Sequence, residues 1–153
     1  MIHVRTQIRE ALVGLLDNHP DLSGRVYEHP FVPGKDKMPA IIVAIGNESI
    51  SRLTVHPDPD NELDRRVQVN IEVLANQAEP GVAKAAEALA AAVEQAVHTL
   101  DWSAYLGTLL SDELTLVAID ATPDKESNVP AYRLMLAYDG QYSTTQGNPE
   151  VAT

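Results

Sequence analysis

Apolar residues recur at helical spacing from the start of the chain. Val4, Ile8, Leu12, Leu15 and Leu16 share one stripe with Ala11 beside them, and Arg5, Arg9, Glu10 and Asp17 fall elsewhere on the wheel. That period predicts an amphipathic helix from Val4 to Asp17. Asn18-His19-Pro20 ends it, because proline cannot continue the helical hydrogen bonding. A second helical stripe runs through Val82, Ala86, Leu89, Val93, Val97 and Leu100, opened by Glu79-Pro80-Gly81. Its many alanines raise intrinsic helicity and permit close packing on a sheet.

Between the helices the period changes to two. Arg25-Val26-Tyr27-Glu28 predicts a short strand entering a proline-rich loop from Pro30 to Pro39, and Ala40–Ile45 is a short, β-branched apolar run that predicts a buried strand. Val67, Val69, Ile71 and Val73 alternate with Arg66, Gln68, Asn70 and Glu72, which predicts a strand with one dry and one wet face. From Gly46 to Leu63 the chain is polar around His56-Pro57-Asp58-Pro59-Asp60-Asn61, so this stretch predicts the long tip of a hairpin.

After the second helix a short turn is expected at Trp102–Leu106, then strands over Leu114–Ala121 and Val129–Tyr142, joined by a turn through Thr122-Pro123-Asp124-Lys125 and Ser127-Asn128. In the last strand Tyr132, Leu134, Leu136 and Tyr138 take one face, and Arg133, Met135 and Ala137 the other. The expected fold is α+β, a mostly antiparallel sheet of about five strands with two helices packed on one face. It forms a single domain over residues 1–142, with residues 143–153 a polar C-terminal tail. The sheet edges are left for water or a neighbour.

Composition narrows the function. The chain of 153 residues carries a net charge of −11, which argues against nucleic-acid binding by counterion release and against docking on anionic lipid. From Asn76 onward the only bases are Lys84, Lys125 and Arg133, so the acidity is concentrated in the second half. With no cysteine, thiolate metal sites and cysteine nucleophiles are excluded. No apolar run approaches a membrane span and the first residues lack a signal-peptide core, so a cytoplasmic protein without membrane contact is the expectation.

Candidate chemistry is sparse. His3, His19, His29, His56 and His98 are scattered, and no two stand at the i, i+4 spacing of a zinc helix. His56-Pro57-Asp58-Pro59-Asp60 lacks the glycine and distal glutamate of a calcium loop, and Gly34-Lys35 lacks the rest of a phosphate loop. Ser49, Ser51 and Ser103 have no nucleophile elbow around them. The expectation is no catalysis, no cofactor and no metal.

Element order and residues together resemble the tail terminator (tail-completion) proteins of long-tailed bacteriophages, the minor tail protein U type. The resemblance rests on the Ala11-Leu12-Val13 helix centre, Gly24-Arg25-Val26-Tyr27, Met38-Pro39-Ala40-Ile41-Ile42-Val43, Arg65–Val73, the alanine-rich second helix and Arg133-Leu134-Met135-Leu136-Ala137-Tyr138. It implies a homo-hexameric ring that caps the tail tube protein, stops tube polymerisation and offers a surface to a head-completion or connector protein. DNA would pass through the lumen without specific binding, and acidity there would keep it from sticking. The protein would reside at the tail end of the virion, and in the host cytoplasm during assembly. Two other readings are a neighbouring head–tail connector or neck protein, and a small ligand-binding α+β domain. The assembly-contact candidates are Ser49, Ile50, Arg52, Leu53, Val55, Asp58 and Asp60 on the hairpin tip, Arg65 at its base, and Tyr138 and Tyr142, since tyrosine is enriched at interfaces.

Overall fold

The computed structural model describes residues 2–31, 33–52, 62–99, 102–124 and 131–152. Helix α1 spans Val4–Asp17, as the apolar stripe predicts, and buries Val4, Ile8, Leu12, Leu15 and Leu16. His3 caps its start by accepting the Arg5 N–H at Nδ1, 3.1 Å away. Beyond its end, the Gly24 N–H donates to Asp17 Oδ1 at 2.8 Å; Gly24 has φ +79°, a left-handed conformation that glycine adopts without steric cost.

Strands follow as β1 (Val26–Glu28), β2 (Ala40–Arg52), β3 (Glu62–Asn76), β4 (Thr115–Asp124), β5 (Ala131–Thr145) and β6 (Asn148–Ala152). Helices α2 (Val82–Val97) and α3 (Trp102–Leu106) lie between β3 and β4. The six-stranded sheet runs β1-β2-β3-β5-β4, with β6 paired to β5 off that path. Among the described residues β1–β2 is the one parallel pairing and the others are antiparallel.

Residue parity fixes the dry face. Ile41 and Val43 on β2, Val67, Val69, Ile71 and Val73 on β3, and Leu134, Leu136 and Tyr138 on β5 pack with α1 and α2 in one core. The two longer helices therefore cover one side of the sheet. Alanine does much of the close packing: α2 buries Ala86, Ala90, Ala92 and Ala96 beside Val93 and Val97. Val82 and Leu89 are only half-buried at the margin of the core, and Leu100 lies outside the described residues. Small size is also needed at Gly140 on β5, where a Cβ would lie 2.8 Å from Leu114 Cδ2. A smaller cluster of Ala40, Ile42, Leu74 and Ala131, with Tyr27 and Met38 against it, occupies the opposite face at one end.

Three sequence expectations change. The polar stretch after Ile45 is not all hairpin tip: β2 passes a bulge between Ile45 and Glu48 and pairs through Arg52, with Ser49 opposite Arg66 and Arg52 opposite Leu63. Ser49, Ile50 and Ser51 are exposed strand residues, so polarity there marks a wet strand and not a turn. Thr122-Pro123-Asp124 continues β4 instead of turning. Of the expected tail, residues 143–152 are built into the sheet: β5 runs to Thr145, and β6 folds back with Thr144 opposite Ala152.

Candidate assembly surface

The bulge between Ile45 and Glu48 shifts the phase of β2 against β3 by one residue, returning Glu48 to the helix side of the sheet. There its carboxylate meets Arg65, which stands opposite Tyr142 across the β3–β5 ladder. Arg65 Nη1 donates to Glu48 Oε2 at 3.1 Å and Arg65 Nε donates to Thr144 Oγ1 at 2.7 Å. The Tyr142 hydroxyl donates to Glu48 Oε1, and the Arg65 guanidinium lies 6.0 Å from the Tyr142 ring centroid. Thr144 and Tyr142 are fully buried, and the Arg65 side chain is 10% exposed. From α1, Arg5 Nη2 donates to the Gly46 carbonyl at 2.9 Å, with Nη1 4.0 Å from Glu48 Oε1.

This cluster ties β2, β3, β5 and α1 together where the β2–β3 hairpin begins to extend beyond the apolar core. Burial pushes the Tyr142 phenol above its ordinary pKa, and its hydrogen bond to Glu48 adds to the shift. Tyr138 is also raised, by burial first and then by the charge of Glu94 on α2. Its hydroxyl has no hydrogen-bond partner among the described residues.

The predicted contact residues therefore divide. Ser49 and Ile50 lie exposed on the β2 extension, and Arg52 ends that strand. Arg65, Tyr138 and Tyr142 are interior, so they hold the scaffold and are not surface contacts of this fold. Even spacing on β5 gave the tyrosines a common face, but α2 and the hairpin-base cluster cover that face. Leu53, Val55, Asp58 and Asp60 lie outside the described residues.

Another exposed set was not marked as surface by the sequence pattern. Val117 and Ile119 on β4 are 53% and 49% exposed, close to the 52% of Ile50. Val151 on β6 is also exposed. β4 pairs only with β5, so its other edge is open among the described residues. β2 pairs with β1 from Ile41 to Val43, and among the described residues no strand lies on the same side of Ala44–Arg52. The signal was present as Leu116-Val117-Ala118-Ile119, but apolar residues on a strand are ordinarily read as core.

Clefts in this surface are shallow. One of about 250 Å³ is lined by Arg66, Asp112, Glu113, Asp139 and Gln141. A more apolar one, of about 220 Å³ between Met38, Pro39, Val82 and Leu89, is smaller than the roughly 300–1,000 Å³ usual for small-molecule sites. Among the described residues no group of three or more His, Asp or Glu is placed to hold a metal, and no helix is long and apolar enough to cross a membrane.

No protein-family model and no curated protein matches the chain. Among solved structures it is similar to a chain of the virion of a native gene transfer agent particle. The TM-score is 0.48 at 19% identity, over 93% of this chain and 92% of that one.

Proposed function

We propose that this chain is a structural subunit of a phage-like virion, and within it the subunit of a tail terminator ring. The observation that carries the reading is a pair of open sheet edges bearing exposed aliphatic side chains, beside a hairpin fixed at its base by buried ionic contacts. Open, apolar strand edges are a hazard in a monomer and a resource in an assembly. The sequence resemblance to tail terminators supplies the kind of assembly.

In this reading the subunits close into a homo-hexamer on the end of the tail tube. The ring ends tube polymerisation on one side and presents the other to a head-completion or connector protein. The chain works by binding alone, with no turnover, cofactor or metal. The net charge of −11 on each subunit leaves the lumen poor in sites for a DNA backbone, so DNA passes without being held. Its place is the tail end of the virion, and the host cytoplasm before assembly.

Deleting the gene from its own particle and imaging the products tests this. Overlength tails and unjoined heads are expected, with normal length restored by adding back the purified chain. Normal-length tails that fail only to join heads would place the chain among neck connectors. Normal, joined tails would refute a role in tail completion.

A further inference from the structure

We infer that neighbouring copies join by continuing the sheet, with the open edge of β4 in one copy pairing antiparallel to the open Ala44–Arg52 edge of β2 in the next. This deepens the ring reading and rests on it.

Strand direction permits the contact. Along β2-β3-β5-β4 every neighbour is antiparallel, so β2 and β4 at the two ends run in opposite directions. A second copy placed alongside in the same orientation therefore brings its β2 antiparallel to β4, the more stable arrangement per residue. Repeating the step with a rotation makes a heterologous contact able to close into a ring.

Side-chain phase agrees. Ile119 lies opposite Leu136 on β5, on the helix side of the sheet. Ile50 lies opposite Arg65, which points to that same side. Continuing the sheet without flipping it brings these two half-exposed isoleucines together, and each covers the other. β1, paired at Ile41–Val43, blocks the strand beyond and limits the register.

Charge selects this contact over the obvious competitor, two β4 edges meeting about a twofold axis. The sequence from Ser111 to Asp124 contains Asp112, Glu113, Asp120 and Asp124 and no base. Pairing that segment with itself places like charges along one ribbon, which is destabilising. The β2 edge instead has the partly exposed Arg5 guanidinium beside it, held on the Gly46 carbonyl, and its one acid, Glu48, is already matched by Arg65.

The native chain has no cysteine, so engineered thiols report the contact without background. Ile50→Cys, Ile119→Cys and the double variant are made in the full chain and checked for folding by circular dichroism. Each is concentrated and treated with a short bis-maleimide, which tolerates a register offset of one residue pair. The inference predicts a ladder of linked copies for the double variant and dimers when the two single variants are mixed. It predicts no linkage of either single variant alone. Efficient linkage of Ile119→Cys alone overturns the inference in favour of β4–β4 pairing. Closed rings of the native chain under the microscope, with no ladder from the double variant, also overturn it while leaving the ring reading intact. A ladder without closed rings supports the edge contact and removes the ring.

Discussion

Glu48 and Arg65, separated by 17 positions in sequence, meet at 3.1 Å with 8% and 10% of their side chains exposed. Breaking such a buried pair leaves one charge without its partner, which typically costs about 3–5 kcal/mol. Thr144 and the small remaining exposure of Arg65 soften the loss here, so Glu48→Ala is expected near the lower end of that range. Chemical denaturation of the variant measures it. The double variant Glu48→Leu/Arg65→Met should recover much of the stability, because no lone charge remains.

The two buried tyrosines of β5 make a paired comparison. Tyr142→Phe removes a donor from the Glu48 carboxylate and should cost about 1.5–3 kcal/mol, as for other hydrogen bonds to charged groups. Tyr138→Phe removes a hydroxyl with no partner among the described residues, and should be neutral or slightly stabilising. Equal losses at both positions in thermal melts would contradict the contacts described.

Alkaline titration follows from the same pair. Both phenols are held above their ordinary pKa, so the folded state favours their neutral forms. The stability this contributes is present in full below the unfolded value of about 10 and is lost as pH rises through the folded values. Among the five tyrosines, absorbance should show two ionising late, together with unfolding, and stability should fall with pH above about 10.

Helix α1 was legible to the residue because its stripe, the basic and acidic residues off it, and Pro20 all agree. The Val67–Val73 alternation was legible for the same reason. The β2 extension was not, since Ser49 and Ser51 have weak strand preference and become strand by pairing with β3. Tyr138 and Tyr142 show a second limit: spacing gives a shared face, but what covers that face is decided by α2 and by a bulge that turns Glu48 inward. The last strand, β6, pairs with β5 at Thr144, which is buried against Arg65, a contact between residues 79 apart that no local pattern carries.

Charge placed on the proposed contact should separate folding from assembly. Ile119→Asp changes a half-exposed edge residue, so the isolated chain should keep its stability to within about 0.5 kcal/mol. Ring formation and tail completion should fail. Val151→Asp, on an exposed residue of β6 that belongs neither to β4 nor to the Ala44–Arg52 stretch, should leave assembly intact. Loss of folding in Ile119→Asp, or normal tails made from it, would contradict the assignment.

As proposed, this chain closes a ring on the end of a tail tube. Electron microscopy of tubes assembled with the purified chain, averaged at their ends, tests it most directly. The expected result is one six-fold ring at a single end and none along the shaft. Density spread along the tube, or a cap without rotational closure, would contradict it.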